Sequence, residues 1–237
     1  MAGLLRLFAF GMLLAHMLLD RTCAGVSAKT LGLYACVFIA RWYSVFRYPG
    51  YLPLDHSGDY VPFFEMASFI MATGMVGSML TVFRGTYAKE EDSFGKKVIA
   101  LVPHEAGPLY IVLPCLVLAL ILHPSLNNDF STDVAWTFSM YLETLAIIPQ
   151  LVMFRSTKKP VERWTGHFVF VLGASRLLSL LFWVSSFHEL GDRKKTPWVG
   201  YFVVFMEFLA LAILADYSYF WVNSQRSGQA LNFSGGV

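Results

Sequence analysis

The sequence predicts an all-α membrane protein with seven transmembrane helices. Of its 237 residues, 56% are hydrophobic and only 14% are charged, and the mean hydropathy is +0.55. A soluble domain carries about 25% charged residues, so this chain has too little polar surface to coat a water-soluble globule. Its apolar runs approach the roughly 20 residues that cross a bilayer. Only helices satisfy their own backbone groups over such a stretch, which makes the spans helical.

The seven runs follow one another with short polar connections between them. The first is short and carries Arg6, so a signal peptide with a basic start is an alternative. The segment Asp20-Arg21-Thr22 is a poor cleavage region and favours a helix. Pro149-Gln150 predicts a kink near the end of the fifth run. The predicted spans are Leu4–Leu19, Thr30–Phe46, Tyr60–Phe83, Pro108–Leu122, Val134–Phe154, Trp164–Phe187 and Trp198–Val222.

Lysine and arginine are distributed unequally between the two sets of connections. The loops after helices one, three and five, together with the tail, hold eleven of the 18. The loops after helices two, four and six hold four, and the other three, Arg6, Arg41 and Arg176, lie inside spans. The positive-inside rule then predicts a lumenal N-terminus and a cytosolic tail at 223–237.

Seven helices can be divided into two triplets joined by a linker helix. The second helix of each triplet has a similar segment, Ala40-Arg41-Trp42-Tyr43-Ser44 in one and Ser175-Arg176-Leu177-Leu178-Ser179 in the other. One helix between the triplets inverts the second triplet relative to the first. Such inverted repeats usually enclose a binding site at the bilayer midplane.

Charged residues inside the spans are the first candidates for a functional site. A charge at bilayer depth costs at least about 2.5–3.5 kcal/mol, so it faces a partner or a cavity. One interpretation is internal ion pairing, for example of Arg176 with Glu143 or Asp216. The other is a polar cavity in which arginines hold a ligand carboxylate in bidentate fashion. The charged residues in question are Arg41, Glu143, Arg176, Glu207 and Asp216.

Helical spacing places further polar residues beside these charges. Asp133, Trp136, Glu143 and Gln150 fall near one side of the fifth helix. A second stripe on the sixth helix consists of Arg176, Ser179, Trp183 and Ser186.

Several functional classes are disfavoured. The net charge of +2 is too small to indicate a nucleic-acid partner, and three cysteines cannot form a disulfide framework. The histidines lack metal-ligand spacing, and the sequence contains no catalytic or nucleotide-binding motif. We therefore expect no enzyme activity, no metal and no cofactor.

Five sequence blocks are distinctive. They are Cys23-Ala24-Gly25-Val26-Ser27, Phe38-Ile39-Ala40-Arg41-Trp42, the run from Trp136 to Glu143 continuing to Pro149-Gln150-Leu151, the run from His167 to Gly173 with Arg176, and Ala215-Asp216-Tyr217. These blocks resemble the KDEL receptors, the ER lumen protein-retaining receptors. The resemblance covers roughly Cys23 to Val222. It implies a single domain over residues 1–237, built like the SWEET and PQ-loop proteins.

The resemblance also implies a function and residue roles. Family members bind a C-terminal Lys/His-Asp-Glu-Leu signal on escaped ER luminal proteins in the Golgi. They return these proteins to the ER in COPI vesicles. By resemblance, Arg41 would hold the terminal carboxylate, Asp133 and Trp136 would receive the basic residue, and Glu143 would belong to a proton-sensing network.

The chain departs from the family pattern at positions that matter for this function. Arg6 replaces a histidine, Ser175 and Ser179 replace tyrosines, Ser186 replaces an arginine, and the tail lacks the lysine cluster that COPI reads. These features resemble divergent KDEL-receptor-related proteins of plants.

Two interpretations of the function follow. One is a retrieval receptor of ER and Golgi membranes. The alternative is a family member that lost pH-switched binding and acts as a small-molecule transporter or orphan membrane protein.

Overall fold

The structure, a computed structural model, describes residues 1–48, 60–96, 106–157, 159–187, 198–231 and 233. These residues form eight helices and no strand. In chain order the helices are α1 (Ala2–Leu19), α2 (Ala28–Arg47), α3 (Val61–Leu80), α4 (Leu109–Ile121), α5 (Phe130–Leu145), α6 (Ile148–Ser156), α7 (Arg163–Ser185) and α8 (Trp198–Ser227). All seven predicted runs are helical, and the fifth is divided between α5 and α6.

Three helices begin at side chains that accept hydrogen bonds from backbone amides. Ser27 Oγ accepts from the amide of Thr30 at 3.2 Å at the start of α2. Glu162 accepts from Trp164 and Thr165 at the start of α7. Asp129 does the same for Ser131 at the start of α5. A hydrogen bond from the Ser131 side chain lowers the pKa of Asp129 and keeps this cap charged.

The fifth run is interrupted at the predicted place. Residues 146 and 147 separate α5 from α6, and Pro149 occupies the first turn of α6. Proline has no N–H to donate to the preceding turn, which explains why the hydrogen-bond ladder stops there. The helix is thus interrupted close to Pro149-Gln150, where the sequence predicts a kink.

Among the described residues, five segments are long and apolar enough to cross a membrane, namely α1, α3, α5 with α6, α7 and α8. The remaining apolar helix, α4, has 13 residues. Helix α2 is long enough at 20 residues but carries Lys29, Arg41 and Arg47. The described chain is thus an all-helical protein of the membrane type.

Helix α1 belongs to the packed bundle. It contacts α7 and α3, and Phe10 at its centre is fully buried. The Phe10 ring meets those of Phe38 and Phe168 edge to face, with centroids 5.1 and 5.3 Å apart. These contacts agree with the helix interpretation of the first run.

Gln150 connects α6 to the loop between α1 and α2. Its Oε1 accepts from the amide of Ser27 at 2.8 Å, and its Nε2 donates to the carbonyl of Gly25 at 2.7 Å. Gly25 has a φ of +77°, a left-handed conformation that favours glycine. Gln150 was predicted to share a face with Glu143. Its hydrogen bonds instead assign it to this loop at one end of the bundle.

Buried Asp92 fastens the loop after α3 to the same end. Its carboxylate accepts from Ser27 Oγ at 2.9 Å and from the Tyr87 hydroxyl at 2.8 Å. Burial, with Asp92 alongside, raises the pKa of Tyr87, so its hydroxyl stays protonated and donates. Burial also raises the pKa of the nearby Cys23 thiol.

Some sequence predictions fall outside or at the edge of the described residues. The loops predicted at Gly50–Asp59 and His188–Pro197 lie outside them. Helix α8 continues to Ser227, so the predicted tail at 223–237 begins as helix. The chain then folds back, and the Leu231 carbonyl accepts from the amide of Val161 at 2.8 Å.

Candidate functional site

Six buried charged side chains from six helices meet inside the bundle. They comprise three arginines and three glutamates, so their formal charges cancel. Each side chain is at most 11% exposed, so bulk water contributes little to their solvation. The six are Arg6 of α1, Arg41 of α2, Glu65 of α3, Glu143 of α5, Arg176 of α7 and Glu207 of α8.

Glu143 is the centre of this network, and its side chain is 1% exposed. Arg6 Nη1 donates to Glu143 Oε1 at 2.9 Å. The Nη2 atoms of Arg41 and Arg176 contact the two oxygens of the same carboxylate. Three guanidinium groups from three helices therefore converge on one carboxylate, which ties α1, α2 and α7 to α5.

Glu65 and Glu207 complete the charge balance of the network. Glu65 pairs with Arg6, and its Oε1 lies 3.8 Å from Arg41 Nη1. Glu207 Oε2 lies 3.4 Å from Arg176 Nη1. Ser179 Oγ also donates to Glu207 Oε1 at 2.7 Å. Each guanidinium thus contacts two carboxylates, and each carboxylate contacts at least one guanidinium.

A cavity of about 390 Å³ borders the network. Its charged wall consists of Arg6, Arg41, Glu65, Arg176 and Glu207. Aromatic and aliphatic side chains form the apolar part of the lining, among them Phe64, Trp136, Met140, Phe182 and Trp183. A pocket lined by both charged and apolar groups suits a ligand that has a polar end and a hydrophobic body.

Four of the predicted site residues come together here. Arg41, Trp136 and Arg176 line the cavity, and Glu143 binds both arginines. Ser179 and Trp183, predicted to share a stripe with Arg176, also line it. Arg176 pairs with Glu143, one of the two partners proposed from the sequence, and with Glu207.

Asp133 does not line this cavity. Its carboxylate accepts from the amide of Leu126 at 3.1 Å and from the amide of Asn127 at 3.2 Å. Asp133 is 1% exposed, so these bonds hold the segment before α5 against the helix. Trp136 lines the cavity, and the role of Asp133 and Trp136 as receivers of a basic ligand residue stays a prediction.

Asp216 lies apart from the charge network. Its side chain is 52% exposed and pairs with Arg155 at 2.5 Å. Arg176 thus pairs with Glu143 and Glu207 and not with Asp216, the second partner suggested from the sequence. That Asp216 is a membrane-embedded acid stays a prediction.

The sequence argument missed Glu65, and it noted Arg6 only as the replacement of a histidine of the family pattern. Glu65 is the one charged residue in the predicted span Tyr60–Phe83, and this signal could have identified it. Arg6 is similarly isolated in the first run. Among the described residues, no group of three histidine, cysteine, aspartate or glutamate side chains is arranged to hold a metal ion.

Comparison with known proteins agrees with the sequence resemblance. A family model described as "ER lumen protein retaining receptor" matches residues 22–186. An "ER lumen protein-retaining receptor" of Petunia hybrida is 30% identical over 218 residues, covering 89% of this chain and 86% of the relative. The Drosophila melanogaster protein of the same name is 34% identical over 180 residues, covering 75% and 73%. "ER lumen protein-retaining receptor erd-2.2" of Caenorhabditis elegans is 30% identical over 223 residues, covering 93% and 90%. The chain belongs to the ER lumen protein retaining receptor family, a family of receptors and not of enzymes.

Proposed function

We propose that this protein is a receptor for the C-terminal retention signal of ER luminal proteins. In this role it binds the signal in Golgi membranes and returns the bound protein to the ER. The relatives are named as ER lumen protein-retaining receptors, which supports the assignment. The observation that carries the proposal is that Arg41 lines the cavity and already binds a carboxylate, that of Glu143.

In the proposed recognition, the terminal carboxylate of the ligand replaces the carboxylate of Glu143 as the partner of Arg41. A guanidinium binds two carboxylate oxygens in a planar fork, and this geometry is the same for a glutamate and for a chain terminus. Glu143 retains Arg6 and Arg176 when Arg41 turns to a ligand. The network can therefore release Arg41 without leaving a buried carboxylate unpaired.

Aromatic side chains of the cavity can pack against the apolar part of the ligand. Trp136 and Trp183 belong to the cavity lining and are each largely buried. Together with Phe182 they offer apolar surface to a leucine-sized terminal side chain. A terminal carboxylate beside an apolar residue is the chemistry that this site fits best.

We also propose the inverted arrangement of two three-helix halves joined by α4. Helix α3 packs against both α1 and α2, and α8 packs against both α5 and α7. The third helix thus has the same neighbours in each triplet, which supports an internal repeat with the site between the halves. This arrangement accords with one membrane domain over residues 1–237, placed in ER and Golgi membranes with a lumenal N-terminus and a cytosolic tail. COPI is proposed as the coat partner from the resemblance alone.

A peptide-binding experiment tests the proposed receptor function. Purified full-length protein is titrated with a labelled peptide ending in His-Asp-Glu-Leu, as the free acid and as the C-terminal amide, at pH 5.5 and pH 7.2. The free acid is expected to bind at least about tenfold more tightly than the amide, because the amide cannot form the charged fork. Equal binding of the two forms, or none, contradicts the proposal. Uptake of the peptide or of a small carboxylate into liposomes would indicate the transporter alternative, which no contact in the described chain favours.

A further inference from the structure

We propose that a basic groove at one end of the bundle binds a phospholipid whose headgroup carries a phosphomonoester. The groove has a volume of about 550 Å³ and lies where α2 begins, α3 ends and α4 begins. It shares no lining residue with the cavity beside Glu143, and the proposal does not depend on the proposed receptor function. The lining of this groove, which we call the α2–α3 groove, includes Lys29, Gly32, Met79, Leu80, Arg84 and Lys89.

The α2–α3 groove lies at the level expected for lipid headgroups. Helix α3 has 20 residues and is about 30 Å long at 1.5 Å per residue, which matches the hydrocarbon core of a bilayer. Leu80 is its last residue, so Arg84 follows one turn's length beyond the core. The positive-inside rule predicts that this side of the membrane is cytosolic, where anionic lipids attract basic side chains at the ends of membrane helices.

The charge of the groove complements a phosphorylated headgroup. Lys29, Arg84 and Lys89 line it, and none of the described residues in its lining is acidic. Arg84 is exposed, and no other described residue is bonded to its guanidinium, which can bind two phosphate oxygens in a planar fork. A phosphodiester carries one negative charge and a phosphomonoester about 1.5 to 2 at neutral pH. A headgroup with both groups therefore matches the three basic side chains.

The position of Lys29 is fixed by the folded loop after α3. Its Nζ donates to the backbone carbonyls of Asp92 and Phe94 at 2.8 and 2.7 Å. Carbonyl oxygens are uncharged acceptors, so these two bonds orient the ammonium group without neutralising it. The Asp92 carboxylate accepts from Ser27 and from Tyr87, whose side chain belongs to the groove lining. The basic part of the groove is thus built into the fold.

The apolar part of the lining suits the glycerol and the first carbons of the acyl chains. Met79 and Leu80 of α3 belong to it, and Leu80 is 56% exposed. Gly32 of α2 widens the groove, because a Cβ added there would meet no heavy atom within 4 Å. A groove that combines basic and apolar groups at the membrane surface fits an amphipathic lipid better than it fits an acidic peptide, which has no acyl chain to place there.

Lipid binding to the full-length, detergent-solubilised protein tests the proposal. Native mass spectrometry compares dioctanoyl phosphatidylinositol 4-phosphate with dioctanoyl phosphatidylinositol and dioctanoyl phosphatidylserine, which lack the phosphomonoester. The phosphorylated lipid is expected to bind about tenfold more tightly than either. Equal binding of the three lipids overturns the proposal.

The deacylated headgroup distinguishes a lipid site from a site for free phosphate compounds. Glycerophosphoinositol 4-phosphate keeps the phosphates but has no acyl chains. It is expected to bind about tenfold more weakly than the dioctanoyl lipid, because it cannot contact Met79 and Leu80. Equal binding of the headgroup and the lipid contradicts the assignment to a lipid.

A charge variant connects the binding to the groove. Arg84→Gln is expected to weaken binding of the phosphorylated lipid about tenfold. Arg155→Gln is the matched control, because Arg155 is exposed and does not line the groove. It lies at the same end of the bundle, where the neighbouring Ser156 donates to the carbonyl of Glu91 in the loop after α3. Equal affinity of Arg84→Gln and Arg155→Gln for this lipid contradicts the proposal.

A second variant fills the groove without changing its charge. Gly32→Leu is expected to abolish lipid binding and to leave the fold intact, because the added side chain starts in open space. Gly74→Leu on α3 is its control, since a Cβ at Gly74 also meets no atom within 4 Å and Gly74 does not line the groove. Thermal unfolding verifies that both variants fold. Wild-type lipid affinity in folded Gly32→Leu protein would place the lipid elsewhere and overturn the proposal.

Discussion

Arg6 and Glu143, which stand 137 residues apart in the chain, are joined by a hydrogen bond of 2.9 Å from Nη1 to Oε1. The bond links the first helix to the fifth in the interior of the bundle. Arg6 Cζ also lies 5.1 Å from the centre of the Phe38 ring, a cation–π distance. Residue 6 is where the resemblance to the family led us to expect a histidine, so a permanent charge takes the place of a titrating one.

The first prediction concerns Arg41. Arg41→Ala should remove most of the affinity for a C-terminal peptide, because a charge-assisted hydrogen bond contributes about 1.5–3 kcal/mol. Arg41→Lys should not restore binding, since an ammonium group cannot reproduce the planar fork. Peptide titration by fluorescence anisotropy measures both. Arg155→Ala, which alters an exposed arginine, serves as the control, and wild-type affinity in a folded Arg41→Ala protein would contradict the prediction.

The second prediction concerns the ion pair between Arg6 and Glu65. Arg6→Met or Glu65→Met alone should lower the free energy of unfolding by about 3–5 kcal/mol, because each leaves a buried charge short of its partner. The double variant should recover most of this loss. Denaturant unfolding in detergent measures the three proteins. A double variant as unstable as the sum of the single ones would show that the two side chains do not act as a pair.

The third prediction concerns pH. No histidine is among the described residues that line the cavity, and arginine remains charged throughout the range between Golgi and ER pH. Signal binding should therefore change less than about threefold between pH 5.5 and 7.2, since a tenfold change needs about 1.4 kcal/mol of differential protonation energy. Titration at both values measures this. A weakening of tenfold or more at pH 7.2 would contradict the prediction.

The fourth prediction concerns Gln150. Gln150→Ala should lower the free energy of unfolding by about 1–3 kcal/mol, because the amide of Ser27 and the carbonyl of Gly25 lose their partner. Gln225→Ala changes an exposed glutamine of α8 and should have little effect. Thermal unfolding monitored by circular dichroism compares the two variants. Equal stability of Gln150→Ala and the unmodified protein would exclude a role for this side chain in holding the loop.

The fifth prediction concerns orientation in the membrane. The distribution of lysine and arginine predicts a cytosolic C-terminus. A C-terminal epitope tag should be reached by antibody after selective permeabilisation of the plasma membrane. Asn232-Phe233-Ser234 is a glycosylation sequon, and glycan at Asn232 would demonstrate the opposite orientation.

Several features of this protein follow from local sequence. Low charge and long apolar runs indicate a helical membrane protein, and Pro149 indicates the break between α5 and α6. Arg41, Glu143 and Arg176 were identified because a charge is costly inside an apolar run. Each inference depends on a property of one segment. The structure has the helices and the break, and it brings the three charged side chains together, while their role in ligand binding stays a prediction.

The pairing of the charges depends on packing between helices. Nothing local to α1 indicates that Arg6 meets Glu65 and Glu143, or that Asp133 turns to the amides of Leu126 and Asn127. Every residue except proline carries a backbone amide, so sequence spacing cannot tell which ones a buried carboxylate will bind. Ion pairs require a few ångströms between atoms, and only the arrangement of α1, α2, α3, α5, α7 and α8 brings these side chains within that distance.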